Sequence, residues 1–132
     1  MKYMVLLGRI LYAAIFISAA PGHFTAGMIA YAAGKGVPLA SIAVPVSGII
    51  AFIGGLSILA GYKARYGAWL IALFLLPVTV MMHNFWAIGE PMAARMQYIM
   101  FMKNLSMLGG ALFIAYFGSG PFSLDDRSKT SS

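Results

Sequence analysis

The chain has 132 residues, room for one domain, and is 61% apolar, 9% charged and free of cysteine, which excludes disulfides, thiol nucleophiles, thiolate metal sites and dithiol relays. A mean hydropathy of +0.88 leaves no soluble catalytic domain and points to an all-α integral membrane protein. The formal charge of +6 is scattered along the chain at the edges of apolar runs, so it reads as topology signals and anionic-lipid contacts, and nucleic acid is excluded as a partner.

The twelve charged residues leave uncharged stretches at 10–34, 36–62, 66–89 and 104–124, of 25, 27, 24 and 21 residues. About 20 apolar helical residues cross a hydrocarbon core. Four membrane spans in one domain are therefore expected, forming a four-helix bundle.

The first span covers about 4–20, with Arg9 near one end where it can snorkel to headgroups. Its ending, Ser18-Ala19-Ala20, loosely resembles a signal-cleavage site. Arg9 interrupts the apolar run, however, and Pro21 would follow the cut, so the span is expected to be retained. Pro21-Gly22 breaks the helix, and the stretch 24–33 that follows predicts a short interfacial or re-entrant helix closed by Gly34-Lys35-Gly36-Val37-Pro38.

The second span covers about 39–61 with Pro45 inside, and the third about 65–88 with Pro77 inside. The short loop between them, rich in tyrosine and cations, makes them antiparallel neighbours anchored at one interface. The fourth span covers about 96–117, and a frayed polar tail occupies 118–132. Gly54-Gly55 and Gly109-Gly110 lie inside spans, where small residues let helices approach closely.

Counting cations by side gives six (Lys2, Arg9, Lys63, Arg65, Arg127, Lys129) against three (Lys35, Arg95, Lys103). The positive-inside rule then puts both termini in the cytoplasm.

Helix rise places the polar side chains by depth. His23 lies 14 residues past Arg9, and His83 and Asn84 lie 18 and 19 past Arg65. These are roughly 21 Å and 27 Å at 1.5 Å per residue. Lys103 and Asn104 sit roughly 10 Å below the outer surface on a span entering near Met96. Two histidines, two asparagines and a lysine from three spans thus reach similar outer-leaflet depth, which suggests a shared polar pocket. Each also has a simpler role: a histidine bonded to a carbonyl, a snorkelling lysine, asparagines bridging helices.

Phe24, Phe85, Trp86, Tyr98 and Phe101 read most simply as an interfacial belt. As pocket walls they suit a flat ring such as a quinone head, its carbonyls accepting bonds from His, Lys or Asn. Seven of ten methionines fall between 81 and 107, and Met96, Met100, Lys103 and Met107 share a helix face. Thioethers can hold Cu(I), but the lysine ammonium opposes a cation, so no metal site is assigned. Glu90 is the single acid outside the tail, and no phosphate loop or serine triad is present, so no catalytic residue is assigned.

In order along nearly the whole chain, several motifs resemble the DoxX family: Gly8-Arg9-Ile10-Leu11, Ala32-Ala33-Gly34-Lys35-Gly36-Val37-Pro38, Gly54-Gly55, His83-Asn84-Phe85-Trp86, Lys103-Asn104-Leu105 with Gly109-Gly110, and Gly120-Pro121-Phe122-Ser123-Leu124-Asp125. The resemblance implies a small four-helix protein of the bacterial inner membrane. It also implies association with membrane oxidoreductase systems such as the DoxD-type subunit of thiosulfate:quinone oxidoreductase. Where that family often has lysine and glutamate, this chain has His23 and Ala51, as if a buried ion pair had been removed together.

The function expected on these grounds is a redox-system subunit that binds a quinone-like molecule in an outer-leaflet pocket. His23, His83 and Lys103 would orient the ligand, Asn84 and Asn104 would support them, and Trp86 would form a wall. No cofactor is identifiable besides that quinone, and electrons would come from a membrane or soluble oxidoreductase partner. The alternatives are a non-catalytic scaffold for a partner protein and a small-molecule permease working as a homo-oligomer.

Overall fold

Proline and glycine set the helix boundaries. The structure, a computed structural model, describes residues 2–130. Helix α1 (Lys2–Ala19) stops where Pro21 forfeits a backbone donor, and the chain tightens into a 3₁₀ turn, Ala20–Phe24. Thr25 then caps the short helix α2 (Ala26–Gly34), its hydroxyl oxygen accepting from Met28 N at 3.2 Å. α3 (Ala40–Ala60) ends on Gly61 in the left-handed region (φ 69°), and Tyr62 N returns to Ser57 O at 3.0 Å. α4 (Ala64–Met82) leaves helical geometry at His83, and a 3₁₀ turn, Phe85–Ala87, leads to Glu90. The Glu90 carboxylate caps α5 (Pro91–Phe117), accepting from Met92 N at 3.1 Å and Ala93 N at 2.6 Å. Pro91 occupies the first helical turn, where its missing donor costs nothing. α6 (Leu124–Thr130) completes the order.

Among the described residues the fold is all-helical. Tyr3–Phe24, Ala40–Ala60, Ala64–Ala87 and Pro91–Phe117 are each long and apolar enough to cross a bilayer. Large apolar side chains, among them Leu11, Ile42, Trp69, Leu73 and Phe113, stay exposed on the outside of the bundle. In water that would be a defect; in lipid it is the solvated surface. The chain is a multi-pass integral membrane protein, and a short helix follows its first span.

α3 sits between α1 and α4, and α5 packs along α4. The Tyr12 hydroxyl donates to the Met107 carbonyl, joining α1 to α5 and closing the bundle. The core is made of small and branched residues: Ala13 and Phe16 of α1, Ala51 and Ile58 of α3, Ala68, Ile71 and Leu75 of α4, and Ala111 of α5. A Cβ added at Gly54 would lie 2.9 Å from the Gly67 carbonyl oxygen, so α3 and α4 are in backbone contact there.

At the end of the bundle that carries both chain termini, two expectations are corrected. Arg9 does not snorkel outward. It is 4% exposed and donates from Nη1 to Leu59 O at 3.4 Å and from Nη2 to Pro121 O at 3.2 Å and Phe122 O at 2.5 Å, while its Nε is buried without a partner. The tail, described to residue 130, is not frayed. It turns back through Gly118 and Gly120, both at positive φ, and α6 lies against the α3–α4 loop. Asp125 is the reason. Its carboxylate accepts from Lys63 N at 2.8 Å and Ala64 N at 3.2 Å, so it caps α4 from 61 residues away, and it accepts from Ser119 Oγ at 2.6 Å. A turn with free carbonyls covers the two Nη atoms of the guanidinium, and an acid covers free amides, so among the described residues the latch pairs these groups and leaves Arg9 Nε over.

A cavity between the spans as the candidate functional site

At the opposite end the chain leaves a hollow. The cavity has a volume of about 490 Å³, bounded by α1, the 3₁₀ turn after it, α2, α3, α4 and one edge of α5. It exists because its walls use small residues where helices would otherwise close: Ala19 of α1, Ala32 of α2, and Ala43, Ser47 and Ala51 of α3. At the same level Pro21 ends the α-helical hydrogen-bond ladder and the chain continues as the 3₁₀ turn.

His23 reaches this space because Gly48 of α3 lets the 3₁₀ turn lie directly on it. A Cβ at Gly48 would fall 2.5 Å from His23 Cβ. The ring stands edge-on to Phe74, centroids 5.6 Å apart, and its Nδ1 lies 3.2 Å from Ala19 O. His83 enters from the far wall, where α4 unwinds, and its Nδ1 lies 2.8 Å from Gln97 Oε1 on α5. Asn104 comes from α5 and Ser47 from α3. The Ser47 hydroxyl donates to Val44 O at 2.7 Å. The remaining walls are Phe16, Phe74, Leu75, Met81, Met82 and their apolar neighbours.

Of the six residues expected at one site, His23, His83 and Asn104 line this cavity. Lys103 does not. It is exposed on the outward side of α5. Successive helical residues are rotated by about 100°, so with Asn104 and Met107 turned inward, Lys103 faces away. Asn84 accepts from Lys35 Nζ at 3.2 Å, tying the α2–α3 turn to the α4–α5 connection. Trp86 is 58% exposed and belongs to an aromatic cluster around Phe85, whose centroid is 5.2 Å from Trp86, 5.1 Å from Tyr98 and 5.3 Å from Phe101. That cluster sits where the α4–α5 connection meets α5, and none of its four rings lines the cavity.

Sequence reading missed Gln97, Ser47 and Phe74, and at the other end Asp125 and Ser119. Gln97 carried a signal, a lone amide near the start of a span one helical turn from Met100–Phe101; the others look like ordinary helix or tail residues.

Fold and hollow together define the class: a small helical membrane protein with an apolar, sparsely polar chamber set off-centre between its spans. Within that class, the chain belongs to the SURF4 family, whose sequence model matches residues 1–131. It is 37% identical to inner membrane protein YqjF of Escherichia coli over 123 residues, covering 92% of this chain and 88% of that protein. It is 27% identical to ER-derived vesicles protein ERV29 of Saccharomyces cerevisiae over 81 residues, 61% of this chain and 26% of that protein. To the Surfeit locus protein 4 homolog of Schizosaccharomyces pombe it is 27% identical over 128 residues, 96% of this chain and 38% of that protein. The chain thus spans most of the bacterial relative and well under half of either yeast protein. No solved structure matches it.

These matches overturn the DoxX resemblance: the family that covers the chain is SURF4. The motifs behind the resemblance are short: Gly8-Arg9-Ile10-Leu11, the Gly34-to-Pro38 turn with the two alanines before it, two Gly-Gly pairs, His83-Asn84-Phe85-Trp86, Lys103-Asn104-Leu105 and the ending Gly120 to Asp125. Glycine pairs, Gly/Pro turns and aromatics at span ends recur in short-looped membrane bundles, so those among them do not distinguish one family from another. The supposed replacement of a lysine–glutamate pair by His23 and Ala51 falls with it.

Proposed function

We propose that this protein binds a small membrane-soluble amphiphile in the cavity between α1, α3 and α4. One observation carries the reading: a chamber of about 490 Å³, walled by apolar side chains and given a few converging polar groups, His23, Ser47, His83 and Asn104. That volume lies in the range of small-molecule sites, and the mix of an apolar lining with few polar points is their usual composition. A quinone-like ring is one member of this ligand class. The redox role and the oxidoreductase partner rested on the DoxX resemblance and are not retained.

For location, the name of the relative YqjF and the six-to-three cation count support the bacterial inner membrane with both termini cytoplasmic. The cavity then lies toward the outer leaflet.

The test is native mass spectrometry of the protein released from its own membrane in mild detergent, with solvent extraction of what travels with it. A small apolar adduct, lost in a variant that fills the chamber such as Ala51→Phe, is expected. Protein that carries no adduct and takes up none from a total lipid extract would refute the reading.

A second reading is favoured by α5. In its most apolar stretch 6% is buried, against 22–33% for the other spans, and Lys103 is exposed there. Such a face suits docking of another membrane segment, and the scaffold role would use it. Loss of a co-purifying membrane protein on Lys103→Leu would support that role, and unchanged co-purification would count against it.

A further inference from the structure

We infer that the cavity selects amphiphiles whose head group donates hydrogen bonds, hydroxyl-bearing molecules such as a long-chain alcohol or a phenol, over those whose head only accepts. This rests on the reading of the cavity as a binding site. It comes from asking which hydrogen-bonding capacity of each polar wall residue is already in use.

A neutral imidazole has one donor nitrogen and one acceptor nitrogen. The partner of His23 Nδ1 is the Ala19 carbonyl, 3.2 Å away, and a carbonyl can only accept. The proton therefore sits on Nδ1, and Nε2 is left as a bare acceptor. His83 repeats the arrangement with Gln97 turning its amide oxygen to the ring: Nδ1 lies 2.8 Å from Oε1, and in that orientation Nε2 keeps the lone pair. Ser47 has one hydroxyl proton, and it is directed at Val44 O at 2.7 Å, which leaves its oxygen lone pairs.

Three polar wall groups from three segments thus offer acceptors. Tyr31 and Asn104, the other polar lining residues, can act either way. Among the described residues no Lys or Arg lines the cavity, and Lys103 faces outward.

A ketone, ester or quinone oxygen brought to these points would meet lone pair against lone pair. A carboxylate would in addition lack a countercharge. An ammonium would donate, but no Asp or Glu among the described residues lines the chamber to offset removing its charge from water. A hydroxyl satisfies the walls without a charge. At His23, His83 and Ser47 the structure therefore reverses the polarity of the expected quinone contact, in which the protein was to donate; a phenol or quinol satisfies these three points, whereas its quinone is left with Tyr31 and Asn104 alone. The chamber is of small-ligand size, so a single-chain or single-ring alcohol is the occupant and not a two-chain phospholipid.

Two measurements test this. The chain has two histidines, so protein labelled with ¹⁵N in the imidazoles and placed in lipid nanodiscs at mildly alkaline pH reports four ring nitrogens. Both rings are expected to carry the proton on Nδ1. Titration with 1-dodecanol should then move an Nε2 resonance of at least one ring. Dodecyl methyl ether, matched in chain but without a donor, should move neither and should bind about fivefold more weakly, the loss of one neutral hydrogen bond. In His23→Phe the alcohol's advantage should shrink; should that variant not fold, Ser47→Ala removes another acceptor with little change of shape and serves the same comparison.

An Nε2-protonated tautomer on both rings, or equal affinity for alcohol and ether, would overturn donor selection while leaving the binding site standing. Failure of both probes to bind would overturn the binding reading and this inference together.

Discussion

Replacing Asp125 with alanine should destabilise the bundle by about 2–3 kcal/mol, whereas the same change at its neighbour Asp126 should stay within about 0.5 kcal/mol. The two acids are adjacent and equal in charge, but one caps a membrane span and the other does not. The Asp125 carboxylate accepts from the first amides of α4, Lys63 N at 2.8 Å and Ala64 N at 3.2 Å. Loss of a capping side chain costs about 0.5–2 kcal/mol. It also holds Lys63 in the left-handed region (φ 50°), a conformation a non-glycine residue adopts at a cost of roughly 1 kcal/mol. Ser119 Oγ loses a charged acceptor at 2.6 Å but keeps Gly61 O at 3.0 Å, which limits that loss to about 1 kcal/mol. Asp126 enters the latch through its backbone, Asp126 N donating to Ser123 Oγ at 3.0 Å, and alanine preserves that bond. The assay is reversible unfolding in mixed micelles, followed by the fluorescence of Trp69 and Trp86, with amide hydrogen exchange at Lys63 and Ala64 as a local readout. Equal effects of the two substitutions, or unchanged protection of those two amides in Asp125→Ala, would refute the capping argument.

Other consequences are simpler to state. Gly48→Val should destabilise by about 1–3 kcal/mol in the same unfolding assay, because the new side chain occupies the place of His23 Cβ and the 3₁₀ turn must lift from α3. Ala51→Phe, at a wall position 1% exposed, should abolish co-purification of the bound molecule, read by native mass spectrometry. Lys103→Leu should leave that adduct unchanged, since Lys103 does not line the chamber. Lys35→Met should cost at most about 1 kcal/mol but speed amide exchange around residues 34–38 and 84–89, the two loops its bond to Asn84 holds together.

Much of the architecture was legible in the residues because the bilayer imposes one-dimensional rules. Charge cannot stay in hydrocarbon without compensation, so the four uncharged stretches of 25, 27, 24 and 21 residues each overlap one of the four spans, although the first span takes in Arg9 and the fourth Arg95 and Lys103. Pro21-Gly22 and Gly34 through Pro38 marked the short helix between the first two. Depth along a span is linear in sequence, which is why His23, His83 and Asn104, far apart in the chain, could be expected at one level. Direction around a helix is not fixed in that way. Asn104 and its neighbour Lys103 share a depth and differ by about 100° in heading, and which of them met the chamber depended on how α5 packs on α4.

Composition and the spacing of charge, proline and glycine, then, were enough to determine a four-span helical membrane protein with a short helix after the first span, because transfer free energy and backbone geometry act residue by residue. Tertiary structure alone decided three things. It turned Arg9 inward to tail carbonyls, sent Asp125 to cap α4 across 61 residues, and oriented each histidine Nδ1 to a protein acceptor so that Nε2 remained. The Arg9 and Asp125 pairings join groups distant in the chain, and His83 reaches Gln97 on another helix, whereas His23 bonds four residues back and is aimed by the turn lying on Gly48. Each energy depends on direction as well as distance, and direction is set when helices pack.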